Sequence, residues 1–201
     1  MTENIDTKNK IVFATNNEHK VQEVREIFKD TNFSICSLKD LGLNISADET
    51  GETFLENSYI KAKAVWDKVG GYVMADDSGL VIDYLPTLLG VKSARFMGHD
   101  TDYSIKNNEI LKLMKNAKGK ERSARFKAAI VLIKPDGEKI TATGTMEGQI
   151  AESIEGDNGF GYDPIFFLPE YNCTAAVLSS EEKNKISHRG KSLKKLKELL
   201  K

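Results

Sequence analysis

No apolar run in this 201-residue chain approaches the ~18 residues needed to cross a bilayer, and the polar, charged first ten residues are followed by no signal-like apolar stretch. The expectation is a cytoplasmic protein with no membrane partner. Cysteine is nearly absent: Cys36 and Cys173 form no Cys-x-x-Cys pair and no disulfide framework, so both are read as reduced thiols. Only three histidines occur, His19, His99 and His188, far apart and sharing no metal-ligand spacing with either cysteine. A metal held here would be a hard cation on carboxylates, and Mg²⁺ fits best. An excess of either charge is missing too, with Lys+Arg 29 against Asp+Glu 30, which argues against a dedicated nucleic-acid or membrane-surface protein. The chain shows no internal repeats, low-complexity linkers or internal domain boundary. One domain over residues 1–201 is expected, with a flexible tail at 1–9 and enough length to bury a core without staples.

What is present centres on Tyr72-Val73-Met74-Ala75-Asp76-Asp77-Ser78-Gly79-Leu80-Val81-Ile82-Asp83. An apolar strand should not run into two carboxylates without a reason, because an unpaired buried carboxylate is costly. The spacing predicts a strand that ends at Asp76-Asp77 and opens into a cleft. On a regular strand Asp76 and Asp77 face opposite sides, unless Ser78-Gly79 bends the chain. The competing expectation is a hairpin turn, since Asp-Ser-Gly is ordinary turn chemistry. An aspartyl-phosphate phosphatase also places Asp after an apolar strand, but it needs a second Asp two positions on, where this chain has Ser78.

Elsewhere, Lys10 to Thr15 reads as a buried strand, and Val21, Val24, Ile27 and Phe28 recur at helical spacing. Between them Thr15-Asn16-Asn17-Glu18-His19-Lys20 ends at a helix start with unpaired N–H groups, a phosphate-binding geometry. Lys20 opposes the helix dipole and needs an anion, although it also fits as a solvated lysine. Phe33 to Leu38 suggests a second strand. A helix follows from Thr50 or Thr53 to a stop at Gly70-Gly71, with Phe54, Ile60, Ala64, Val65 and Val69 on its buried side and Trp66 as packing. Glu49, just before it, can stabilise the dipole or reach a metal. Leu85 to Phe96 reads as loop, Thr101 to Met114 as an amphipathic helix, and Ala124 to Ile133 with Glu138 to Thr145 as a hairpin around Pro135-Asp136-Gly137. In Gly159-Phe160-Gly161-Tyr162-Asp163-Pro164 a ring between two glycines suits a flat partner better than a core, though an aromatic loop folded on its own core remains open. Ser179 to Lys201 should be mostly helical behind a Ser179–Glu182 capping box, with a break at Gly190. The order of elements favours a mixed α/β fold.

Five separated stretches then coincide with one pattern: Ala14-Thr15-Asn16-Asn17 with Lys20; Glu49-Thr50-Gly51 with Phe54 and Glu56-Asn57; Ala75 to Leu80; Phe160 to Pro164; and Glu182-Lys183 with Ser187-His188-Arg189-Gly190. From Ile11 to about Leu196 the chain resembles the inosine triphosphate pyrophosphatase family. The resemblance implies a two-lobed α/β protein, a long mixed sheet flanked by helices with a substrate cleft between the lobes, a homodimer and Mg²⁺ dependence. It implies hydrolysis of deaminated purine nucleotides, ITP, dITP and XTP, to the monophosphate and pyrophosphate. It assigns Asp77 as general base, Glu49 and Asp77 as metal-side carboxylates with Asp76 beside them, Thr15, Asn16, Asn17, Glu18, His19 and Lys20 as the triphosphate loop, and Ser78 as a substrate contact. Phe160, Gly161, Tyr162, Asp163, Lys183, His188 and Arg189 become the purine pocket. One stretch departs: the family's Gly-x-Pro-Gly turn before Ser-Ala-Arg is replaced by Leu85 to Lys92.

The chemistry is coherent with that resemblance. Phosphoryl transfer needs charge neutralisation and an aligned water more than a covalent nucleophile, and no Ser-His-Asp or Cys-His arrangement is evident. Lys183 and Arg189 can donate to a 6-oxo group where adenine presents a donor instead, a mismatch that can reject a substrate by ~10⁴-fold. A regulatory nucleotide-binding module and a pyrophosphatase for modified pyrimidines are the competing functions.

Overall fold

The computed structural model describes residues 9–200, so the expected tail lies almost entirely outside the described residues. Seven strands form one sheet in the order β2-β1-β3-β4-β5-β6-β7: β1 (Lys10–Phe13), β2 (Ser34–Ser37), β3 (Tyr72–Ile82), β4 (Ser123–Ile133), β5 (Lys139–Ile150), β6 (Phe166–Leu168) and β7 (Cys173–Thr174). The helices are α1 (Glu18–Phe28), α2 (Phe54–Val69), α3 (Tyr103–Leu113), α4 (Ser180–Ile186) and α5 (His188–Leu199). Because β1 runs parallel to β2 and β3 while β6 is antiparallel to β5 and β7, the sheet is mixed, as expected. By its internal contacts the chain divides into two compact units, and one boundary falls between Asp77 and Ser78.

Of the described residues, the first unit holds 9–77 with 129–143 and 192–200. Parallel neighbours require crossovers, and α1 and α2 supply them. Alternation along β1 and β3 then sorts the core into two clusters. Ile11, Phe13 and Met74 pack with Val21, Val24 and Phe28 of α1 and with Leu193 and Leu196 of α5. Val12, Ala14, Val73 and Ala75 pack instead with Ala62 and Val65 of α2. Strands covered on both faces explain why Ile11 to Ala14 read as an unbroken apolar run.

Of the two cap candidates for α2, Thr53 is the one used, in a capping box with Glu56, and the helix stops as expected at Gly70 in a left-handed conformation (φ +63°). Its buried stripe differs from expectation. Of the anticipated apolar positions only Val65 is fully buried, alongside Ala62 and two polar residues, Asn57 and Ser58. The Ser58 hydroxyl donates to the Ala75 carbonyl at 2.7 Å and accepts from the Val131 N–H at 3.1 Å, which keeps a polar group satisfied in the core. Trp66 packs rather than waiting for a base, with Nε1 donating to the Lys134 carbonyl at 3.0 Å. The turn between β4 and β5 forms at Pro135-Asp136-Gly137, where the Gly137 N–H donates to Lys134.

Neither a strand end nor a hairpin turn occurs at Asp-Asp-Ser-Gly: β3 runs without interruption for 11 residues through Asp76, Asp77, Ser78 and Gly79. Both carboxylates have charged partners, which offset part of the cost that seemed to demand a break.

In the second unit, residues 78–128 and 144–191, Leu80 and Ile82 share a core with Ile110, Met114, Phe126, Ile150 and Phe166. The stretch expected as loop winds into a 3-10 helix over Gly90–Arg95. Ser93 pins it: the hydroxyl accepts from the Leu80 N–H at 3.0 Å and donates to the Gly90 carbonyl at 2.5 Å. Arg122 is buried without a carboxylate, its guanidinium donating to the carbonyls of Met114, Ala117, Ile150 and Ala151. The Ser179–Glu182 capping box opens α4 as expected. The helical break is not at Gly190 but at Ser187, whose hydroxyl accepts the Gly190 N–H at 2.9 Å and so caps α5. Gly190 lies inside α5 and must be glycine, because a Cβ there would sit 1.9 Å from the Asn184 carbonyl oxygen.

Candidate active site

Alternation along β3 decides what each carboxylate meets. Asp76 follows Met74 onto the face covered by α1, where Lys20 Nζ lies 3.0 Å from its Oδ1. The anion that Lys20 requires is therefore built into the protein. Asp77 follows Ala75 onto the α2 face, where Lys61 Nζ is 3.3 Å from its Oδ1 and 2.7 Å from Glu49 Oε1. One ammonium thus joins the two carboxylates assigned to a metal.

Burial pushes the Asp77 carboxyl up, and the charges of Glu49 and Asp76 add to that against the pull of Lys61 and Lys20. Burial would lower Lys61, but the charges of Asp77, Asp76 and Glu49 outweigh it and hold the ammonium above its ordinary range. Asp77 Oδ2 is buried with no hydrogen-bond partner. An orphaned carboxylate oxygen beside a second carboxylate suits a hard cation or an ordered water. Among the described residues no three His, Cys, Asp or Glu side chains form a cage of their own.

The backbone that carries Glu49 is fastened to α2. The Gly51 N–H donates to Asn57 Oδ1 at 2.8 Å, and a Cβ on Gly51 would meet Glu56 Cβ at 2.6 Å. Glu49 does not cap the helix, since Thr53 and Glu56 do that. In the Thr15–Lys20 loop the helix cap is Asn17, whose Oδ1 accepts the Lys20 N–H at 3.2 Å while its own N–H donates to Thr15 Oγ1 at 3.2 Å. Asn16, Glu18 and His19 are exposed.

The second unit gathers the residues expected around a base. Asp163 is their hub: its Oδ2 accepts from Lys183 Nζ at 2.6 Å and from the Phe160 N–H at 2.8 Å. Lys183 Nζ lies 4.7 Å and Arg189 Cζ 5.8 Å from the centre of the Phe160 ring, within cation–π reach. Arg189 also donates to Ser78 Oγ at 3.0 Å, so residues 111 positions apart meet. His188 is buried and stacks on Phe126, ring centres 4.9 Å apart. Tyr162 is buried as well, its hydroxyl donating to the Ser93 carbonyl at 2.6 Å and pushed well above its ordinary pKa by burial. Gly159 and Gly161 have φ of +75° and +69°, which lets the chain turn on both sides of Phe160.

Lys61 was missed in the sequence, and Asn57 was named in the family pattern without a role. The available signal was their spacing: Asn57 and Lys61 are four apart in a helix, so both project on one side with Ser58, a polar stripe where an apolar one was expected.

Comparison with known proteins places the chain in a family. The family model described as the Ham1 family matches residues 11–199. A dITP/XTP pyrophosphatase of Clostridium perfringens is 47% identical over 198 residues, 96% of this chain and 97% of that protein. A Bacillus subtilis protein of the same name is 44% identical, covering 94% and 96%. The Ham1 protein of Staphylococcus aureus superposes with a TM-score of 0.84 at 36% identity, covering 96% of this chain and 98% of that one; a HAM1 protein from Coxiella burnetii gives 0.85 at the same identity and coverage. With one family model spanning almost the whole chain and relatives this similar along their full length, the chain belongs to the Ham1 family.

Proposed function

We propose that this protein is a hydrolase that converts ITP, dITP and XTP to the monophosphate and pyrophosphate, clearing deaminated purines from the cytoplasmic nucleotide pool, and that it works with Mg²⁺ as a homodimer. The observation that carries the chemistry is the Glu49–Lys61–Asp77 arrangement with its orphaned Asp77 Oδ2. The names borne by the relatives support the substrate class.

On this reading Glu49 and Asp77 hold the metal, which when bound would neutralise charge on the phosphates. Asp77 serves as general base, taking a proton from the attacking water; a carboxyl raised by burial lies closer to the operating pH than an ordinary one, which suits that task. Lys61 keeps Glu49 and Asp77 from repelling each other and supplies positive charge, as does Lys20 at the Thr15–Lys20 loop. Phe160 stacks on the purine, and Lys183 and Arg189 donate toward its 6-oxo edge.

The test is a panel of ITP, XTP, GTP, ATP and a modified pyrimidine triphosphate, with phosphate and pyrophosphate measured separately. Pyrophosphate equal to monophosphate, with ITP and XTP ahead, is expected. Excess chelator should abolish the reaction and Mg²⁺ restore it. Orthophosphate as the product, or turnover in chelator, would replace this reading. Within the same panel Arg189→Ala should shrink the preference for ITP over ATP, since adenine gains nothing from that donor. Equal losses on both nucleotides would move edge reading to another residue.

A further inference from the structure

Phe160 sits between two left-handed glycines, so its own backbone does little to fix where the ring points. The restraint comes from neighbours. On one side the Phe160 N–H is held by Asp163 Oδ2, with Gly159 so close that a Cβ there would lie 2.3 Å from that oxygen. On the other side the Gly161 carbonyl accepts from Asn107 Nδ2 at 3.1 Å. Asn107 lies on α3 with Tyr103 one turn before it, and the Tyr103 ring meets Tyr162 edge-on, centres 5.1 Å apart. This face of α3 therefore forms a platform under the loop that carries the ring.

Asn107 is 3% exposed, and its Oδ1 is buried without a hydrogen-bond partner. For stability this is an expensive choice: the amide secures one bond, to the Gly161 carbonyl, at the cost of a buried oxygen with no partner, which an apolar side chain of similar size would not carry. An amide kept at such a cost points to what its other end does. We infer that Asn107 is a positioning residue for the purine: by holding the Gly161 carbonyl it sets the angle at which Phe160 is presented. The inference rests on the proposed stacking of the base on Phe160.

Asn107→Leu tests it, because the donor and the orphaned acceptor disappear together. The thermal midpoint should stay close to that of the wild type, because removing the orphaned oxygen offsets the lost bond to the Gly161 carbonyl. KM for ITP should rise by roughly tenfold, with similar factors for XTP, GTP and ATP and kcat changed less than about twofold, since a misdirected ring weakens binding of every purine. Phe160→Ala is measured beside it, and Asn107→Ala replaces the leucine variant if that one fails to fold. If KM rises for Phe160→Ala but stays within about twofold of wild type for the Asn107 variant, the inference falls and base stacking stands. If KM is unchanged in Phe160→Ala, both fall. A drop in midpoint with kcat and KM worsening together would make Asn107 a packing residue and overturn the positioning role.

Discussion

Asp77→Asn is expected to lower kcat on ITP by at least about a thousandfold while the protein stays folded, because the amide keeps the volume and loses the charge, the base and a metal-side oxygen together. The folded state should tolerate the change. Burial raises the Asp77 carboxyl above its ordinary value, so the folded protein binds that proton more tightly than the unfolded chain. The sign follows: this group favours the folded state below the unfolded value and costs stability once pH rises through the raised one. At neutral pH the amide removes that cost, in exchange for the attraction to Lys61 at 3.3 Å. Lys61 keeps Glu49 as a partner at 2.7 Å, so no bare ammonium is left buried. Urea unfolding at pH 7 should therefore give a midpoint close to that of the wild type. A kcat within about tenfold of wild type would remove Asp77 from the chemistry. Loss of activity accompanied by unfolding would make it a structural carboxylate.

How far the sequence could be read depended on whether a residue's role was local. Periodicity and capping are local, so β1, α1, the hairpin turn at Pro135-Asp136-Gly137, the capping box at Ser179 and Thr53 as one of two cap candidates for α2 were all legible. The mixed α/β class followed from their order. The course of β3 was misread because two adjacent carboxylates look unaffordable inside a strand until their partners are known. Those partners, Lys20 and Lys61, lie 56 and 16 residues away on different helices. Alternation alone did foresee that Asp76 and Asp77 face opposite ways. Gly190 was misread for a related reason: its glycine answers the Asn184 carbonyl passing across the helix, a contact no propensity reports. For the base side, the family pattern named Phe160, Asp163, Lys183 and Arg189 together. That Asp163 supports Phe160 and Lys183 was legible only in three dimensions.

Asp163 carries the other large expected effect. With Lys183 it forms an ion pair 2.6 Å long whose side chains are only 4% and 6% exposed, so neither charge has solvent to fall back on. Asp163→Ala should cost about 3–5 kcal/mol of stability, because it takes the carboxylate away from a buried ammonium. It also releases the Phe160 N–H, so KM should rise for every purine triphosphate. Stability and binding can be separated by removing both charges. Asp163→Leu with Lys183→Met replaces the pair by apolar groups of similar volume, and such replacements are often neutral or stabilising. The double variant should regain most of the lost stability but not the lost affinity, since the bond from the Phe160 N–H to Asp163 is still missing and one of the two 6-oxo donors is gone. Urea midpoints and KM for ITP and ATP on the single and double variants decide the matter. A single variant that loses less than about 1 kcal/mol would show a pair screened by water. A double variant that recovers affinity along with stability would show that Asp163 holds the fold and leaves the orientation of Phe160 to other contacts.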